Sequence, residues 1–204
     1  LDIHKIKVAI FDLGNVLVFF NFSKMLTQLA ECTGLTVRYI GECFIQKGLR
    51  EQYEIGTLSS DDLIDQFRKE SPKSFSDQEF LLAASDIFNP NESCYPLLQA
   101  LKEKGIKLLA LSNMNKAHFE FLKKTYSFLE LFDGIILSYI VGISKPNPKI
   151  FLAALKEAGC SPQECFYVDD TIEHIDAAKT HGIDAELFTD VESLKSHLNH
   201  RQII

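Results

Sequence analysis

The chain predicts an α/β fold: a Rossmann-like parallel sheet sandwiched by helices, with an α-helical cap inserted after the first strand. Three observations carry that expectation. Five short apolar segments recur along the 204 residues, as strands of a buried parallel sheet do. Segments with apolar residues at helical spacing separate the later runs, and strand–helix alternation of this kind builds a parallel sheet. Between the first and second runs the alternation fails, and from about residue 22 to 88 helix follows helix.

Taken in order, the first strand is KVAIF, Lys7 to Phe11, and it ends against Asp12. The insert follows. Ser76-Asp77-Gln78-Glu79 reads as a capping box and Ser59-Ser60-Asp61-Asp62 reads much the same way, each marking a helix start. Around Gly48 and Gly56 the polar stretch LREQYEIGTLSS suits a turn. A structured insert of this length usually covers something, so it is read as a cap. Beyond it come helix LLQALKEKG, strand IKLLALS (Ile106 to Ser112), helix HFEFLKKTY and strand GIILS (Gly134 to Ser138). Helix PKIFLAALKEAG, strand CFYVD (Cys165 to Asp169), helix HIDAAKTHG and strand DAELF (Asp184 to Phe188) complete the series. Gly105, Gly159 and Gly182 stand where helices stop. The expected division is a core of residues 1–19 and 90–204 and a cap of residues 20–89.

Composition narrows the function. Hydrophobic residues make up 46% and charged residues 24%, as in ordinary globular proteins. A net charge of −7 argues against nucleic acid, whose phosphate backbone needs a basic face. A small anionic substrate stays open, because lysines and a metal can reverse the sign inside a pocket. No stretch approaches a membrane span and the start shows no signal pattern. Five cysteines without a C-x-x-C pair suit reduced thiols, so the cytoplasm is the expected location.

Ligands of open parallel sheets bind outside the carboxyl ends of the strands. Asp12 follows strand one. Ser112, Asn113 and Asn115 follow strand two, and Ser144-Lys145-Pro146-Asn147-Pro148 follows strand three. Asp169 and Asp170 end strand four, while Thr189-Asp190 after strand five is expected to cap the last helix. Grouped carboxylates repel one another, and a hard divalent cation such as Mg²⁺ relieves that most simply. One carboxylate can attack phosphorus, while a lysine, a hydroxyl and the metal stabilise the phosphoryl oxygens. Pro146 is expected to hold Lys145 extended, with Asn147 capping a helix whose first residue is Pro148.

FDLGNVLV, LLALSNMN, GISKPNPKIF and YVDDTIEHIDAAKTHGI resemble the four ordered motifs of the haloacid dehalogenase (HAD) superfamily. The insert is similar to the cap those enzymes carry. The resemblance implies Asp12 as nucleophile, Ser112 and Lys145 as phosphate ligands, and Asp169 and Asp170 as metal-binding, with Asp170 direct and Asp169 acting through a water. It implies also that the backbone carbonyl of Gly14 binds the metal. Asn113 stands between capping a helix and touching phosphate. His174 and Asp176 lie on the helix after the acidic pair, and Tyr53 and Glu54 could enter the site from the cap. Phe19, Phe20 and Phe22 suit core packing or a pocket wall.

Most phosphatases of this superfamily carry a second aspartate where this chain has Gly14, and glycine has no proton to give. Either another group substitutes (His174, Glu54 or an ordered water), or the leaving group needs little protonation, or turnover has been lost. FDLGN-type first motifs resemble a bacterial subgroup of glucose-1-phosphate and small-metabolite phosphatases. The expected function is therefore a Mg²⁺-dependent phosphatase acting through an aspartyl-phosphate on a sugar phosphate or similar small metabolite. A 2-haloacid dehalogenase is the first rival, although such enzymes lack the paired acids of the fourth motif. A HAD-like ligand binder without turnover is the second. A two-component receiver domain would order its acids and lysine differently and would lack the cap.

Overall fold

The computed structural model describes residues 5–204; the first four residues of the expected core segment lie outside them. The chain begins with β1 (Val8–Phe11) and β2 (Val18–Phe20). Five helices follow: α1 (Phe22–Thr33), α2 (Val37–Ile45), α3 (Leu49–Glu54), α4 (Ser60–Glu70) and α5 (Asp77–Ser85). Then come β3 (Phe88–Pro90), α6 (Tyr95–Glu103), β4 (Lys107–Ser112), α7 (Lys116–Thr125), β5 (Gly134–Leu137) and α8 (Ser138–Val141). The chain finishes with α9 (Pro148–Ala158), β6 (Cys165–Asp169), α10 (Ile172–Thr180), β7 (Asp184–Leu187) and α11 (Val191–His200).

The five expected apolar runs form one sheet in the order β5-β4-β1-β6-β7, and every neighbouring pair is parallel. Alternation along β1 divides the core. Val8 and Ile10 join Leu109, Leu111, Phe151 and Tyr167 on one face. Ala9 and Phe11 join Leu98, Leu101 and the cap's Met25, Leu29, Phe44 and Phe67 on the other. The chain runs from β1 out to β4 and β5, then returns to β6 and β7 on the opposite side. That reversal beside β1 opens the crevice where ligands of such sheets bind.

Two readings need correction. The stretch expected as a turn after Gly48 is helical over Leu49–Glu54. It buries Leu49 and Tyr53, four residues apart, a spacing that puts both on one helix face. The second correction is an antiparallel ribbon of β2 and β3, pairing Phe20 with Phe88 and Val18 with Pro90, so the expected boundaries at 19/20 and 89/90 fall inside it. Asn91 fastens this neck, donating its side-chain amide to the Val16 carbonyl at 2.8 Å while its backbone N–H reaches Leu17. Both capping boxes form, at Ser59–Asp62 and Ser76–Glu79, and Asp190 caps α11.

The cap is seated on the core. His118 of α7 bonds the Ala84 carbonyl of α5 at 3.0 Å, and the Ser138 hydroxyl donates to the Glu54 carbonyl. Gly56, at φ +74°, lies where a Cβ would stand 2.5 Å from the Tyr139 carbonyl oxygen. Only glycine fits there, on both conformational and steric grounds. All five cysteines are free. Among the described residues no helix is long and apolar enough to cross a membrane.

Candidate active site

Tight local folding carries the chain from β1 into the neck. The Asp12 N–H continues the β1–β6 pairing by bonding the Val168 carbonyl at 3.0 Å. Leu17 and Val18 then bond back to the Leu13 carbonyl. This turn sets Asn15 at φ 55°, a left-handed conformation that asparagine tolerates better than most residues. There its side-chain amide donates to Asp170 Oδ2 at 2.9 Å.

Lys145 is the centre of the charge arrangement. Its side chain is 1% exposed, with Nζ 2.9 Å from Asp12 Oδ1 and 2.6 Å from Asp169 Oδ2, and it donates to the Leu111 carbonyl at 2.9 Å. What aims it is Asn113, which accepts from the Lys145 N–H at 2.7 Å and donates to the Lys145 carbonyl at 3.0 Å. This two-bond clasp adds to the Pro146 that follows, and the Lys145–Pro146 peptide is cis. Asn147 caps α9 with Pro148 at its start, as expected. Asn115, not Asn113, caps α7.

Asp169 is fully buried and its two oxygens are already engaged. Oδ1 accepts from the Thr171 N–H and contacts His174 Nδ1, both at 2.9 Å. Oδ2 holds Lys145 and accepts from the Tyr167 hydroxyl. Burial alone would raise this carboxyl, but Lys145, His174 and Tyr167 together hold it well below the usual carboxylate range. Asp12 is the opposite case. Burial raises it, Lys145 pulls it back and the neighbouring Asp169 charge adds to the rise, leaving it raised to about 6. For Lys145 burial works against the charged form, yet Asp12 and Asp169 outweigh it and its pKa is raised.

Asp12, Asp169 and Asp170 each bring a carboxylate oxygen within 4.8 Å of the others. Asp12 Oδ1, buried, has the ion pair but no aligned hydrogen bond. An all-oxygen anionic set with an unsatisfied member is a donor set that suits Mg²⁺. Asp170, half-buried and tied only through Asn15 and the Thr171 hydroxyl, has lone pairs to give. Asp169 has few left.

A cavity of about 290 Å³ opens above these groups and is roofed by the cap. Ser112, Asn113 and His174 line it, as do Tyr53 and Glu54 from α3 and Phe20 and Phe22 from the neck and α1. Asp176 is exposed on α10, and neither Thr189 nor Asp190 reaches the cavity. The two side chains among the expected substitutes for the absent acid arrive already partnered. His174 faces Asp169, and Glu54 pairs with Arg50 at 2.8 Å. Burial raises Glu54 and the Arg50 charge pulls it back, leaving it above the ordinary range. At Gly14 a Cβ would meet the Phe20 ring at 3.4 Å and Asp12 Oδ2 at 4.0 Å, so an aromatic ring faces the position of the absent aspartate.

Sequence reasoning passed over Asn15, Arg50, His118 and Tyr167. Tyr167 was within reach, since two-residue alternation along a strand puts it on the same face as Asp169. Asn15 and His118 gave no signal beyond ordinary turn and helix residues.

Comparison with known proteins agrees with this architecture. A family model described as haloacid dehalogenase-like hydrolase matches residues 6–182. A sesquiterpene phosphatase of Aspergillus oryzae is 28% identical over 199 residues, covering 97% of this chain and 96% of that protein. A glyceraldehyde 3-phosphate phosphatase of Pyrococcus abyssi is 28% identical over 193 residues, 82% of this chain and 74% of that one. Among solved structures, a HAD family enzyme of Bacteroides thetaiotaomicron in complex with magnesium and inorganic phosphate superimposes with a TM-score of 0.80. It is 27% identical and covers 90% of this chain and 94% of its own.

Proposed function

The chain belongs to the haloacid dehalogenase-like hydrolases, and from that premise we propose that it is a Mg²⁺-dependent phosphomonoesterase working through an aspartyl-phosphate. One observation carries the reading. Asp12, Lys145 and Asp170, from three separated stretches of chain, meet at the carboxyl ends of the central strands, and a buried Asp12 oxygen there lacks an aligned hydrogen bond.

In this reading Asp12 is the nucleophile. A carboxylate oxygen attacks phosphorus, and the bond to the leaving oxygen breaks with its electron pair staying on that oxygen. The alkoxide takes a proton from water. A second water then attacks the phosphorus of the aspartyl-phosphate, the proton it gives up neutralising the hydroxide left by the first, and inorganic phosphate leaves with Asp12 restored. Lys145 places its charge beside Asp12, where the phosphoryl oxygens come to lie, and the Ser112 hydroxyl donates to the same group. Asn113 keeps the lysine on target through its backbone. Asp12, Asp170 and the Gly14 carbonyl would hold Mg²⁺, with Asp169 serving chiefly to orient Lys145. When bound, the cation supplies charge that offsets the carboxylates and the phosphoryl oxygens.

The acidic cluster weighs against the dehalogenase alternative, because attack on carbon needs no such set of metal-binding oxygens. The relatives' names span a terpenoid and a triose phosphate, so they support phosphatase chemistry without choosing a substrate.

Acetyl phosphate with and without Mg²⁺ is the direct test. Steady phosphate release that EDTA abolishes and Mg²⁺ restores is expected, and Asp12→Asn should lower it by about 10⁴-fold or more. Equal rates in wild type and Asp12→Asn would overturn the proposal.

A further inference from the structure

We propose that the group attached to the phosphate in the substrate is an apolar hydrocarbon, not a sugar, a nucleoside or a second acid; this rests on the phosphatase reading above. The cavity has two unlike ends. Asp12, Lys145 and Asp170 stand at the sheet rim, and beyond them the walls are Met25, Phe44, Leu63, Ile87, Phe88 and the Phe22 ring. Phe20 carries the same apolar character down to Gly14, where its ring faces the space beside the nucleophile. The first carbons of a leaving group would therefore meet hydrocarbon.

The polar side chains sharing that far end are matched among themselves. The Tyr53 hydroxyl is 2.7 Å from Ser60 Oγ. His118 engages both ring nitrogens, with the Ala84 carbonyl at 3.0 Å and the Asn115 side-chain amide at 3.1 Å. Asn115 Oδ1 accepts from the His118 N–H; nearer the rim, Asn113 uses both amide atoms on Lys145. A hydroxyl-rich sugar would bring several donors and acceptors to walls whose partners are taken. Each hydroxyl left unpaired on burial weakens binding roughly tenfold.

A second anionic group fares no better. Lys145 and Arg50 are the cations lining the cavity. Lys145 lies between two carboxylates, and Arg50 is paired with Glu54 at 2.8 Å while stacking over the Phe22 ring at 5.9 Å. Recruiting Arg50 would strand Glu54. Burial of hydrocarbon is the one large source of affinity these walls offer.

The test is a homologous series of primary n-alkyl monophosphates, from ethyl to octyl, assayed with Mg²⁺ beside glucose 6-phosphate and acetyl phosphate. Leaving-group basicity is nearly constant along the alkyl series, so its trend reads burial alone. We expect kcat/KM to rise about three- to fourfold per methylene until the cavity is full, and hexyl phosphate to exceed glucose 6-phosphate by roughly a hundredfold. In Phe20→Ser, a half-exposed position that leaves the core intact, the hexyl-to-ethyl ratio should fall about tenfold. A flat series, or faster turnover of the sugar phosphate, with acetyl phosphate still cleaved through Asp12, overturns the apolar-group proposal and leaves the phosphatase reading standing. Failure of Asp12-dependent turnover with every substrate, acetyl phosphate included, overturns both.

Discussion

The sheet rim and the underside of the cap face each other across one cavity and are built on opposite principles. At the rim, charge is concentrated and interlocked: one buried lysine serves two carboxylates, and one of those carboxylates is also held by Tyr167, Thr171 and His174. Under the cap, charge is scarce. An aromatic chain runs inward from Phe22 through Phe44 and Phe67 to Phe80, with ring centroids 5.3–6.4 Å apart. Rim geometry tolerates little change, because each member fixes the ionisation of the next. Cap geometry is a packing problem with many solutions. Under the proposed function, attack on phosphorus falls to the first region and recognition of what the phosphorus carries falls to the second.

The contrast breaks most readily at Lys145. Replacing it in Lys145→Met strands Asp169 in the interior, and losing one partner of a buried pair costs about 3–5 kcal/mol. Chemical denaturation should register that loss, and phosphate release should vanish with it. The double variant Lys145→Met/Asp169→Asn should recover much of the stability and none of the turnover. Recovery of turnover would show that the lysine serves the fold alone.

A smaller effect is expected at the seam between the regions. Burial holds His118 down to about 4 from its ordinary 6.5, because the charged form is excluded there. Between those values the unfolded chain binds the proton that the folded one refuses, so stability is present above pH 6.5 and lost as pH falls toward 4. The full loss is about 3 kcal/mol. Thermal melts at pH 7 and pH 4.5 should show that fall in wild type, and His118→Gln should flatten it. Equal slopes in the two proteins would remove the seam from the account.

The smallest effect lies on the outer cap. Ser76→Ala deletes one capping box, at a cost of about 1 kcal/mol, or about 2–4 °C in Tm. The rate with acetyl phosphate should not move. If it does, cap stability and rim chemistry are less separable than the comparison holds.

The same contrast explains what could be read from the residues alone. Four of the five sheet strands are largely apolar runs, the edge strand β7 carrying Glu186 inside it, and charged or hydroxyl residues follow their ends; both features survive without knowing the fold. Asp12, Ser112, Lys145 and Asp170 therefore stood out by type and place. The ribbon did not, because Val18–Phe20 and Phe88–Pro90 are three residues each and too short to show a period. Helix α3 was hidden by its polar composition, although Leu49 and Tyr53 sit four apart and Arg50 pairs with Glu54 at the same spacing. The cavity wall was hidden for a different reason. Met25, Phe44 and Leu63 bear the same pattern as any core-facing helix residue, and nothing in a hydrophobic period tells a wall from a filled interior.

The neck ties these observations to inheritance. Phe20 and Phe88 stand directly opposite each other in the ribbon, so the path through the sheet closes on itself whatever is strung between them. Since closure entropy grows only with the logarithm of loop length, helices on that side can be lengthened, shortened or exchanged at little topological expense. Under the proposed function, substrate recognition then sits on one contiguous segment that can be exchanged without moving the groups at the sheet rim.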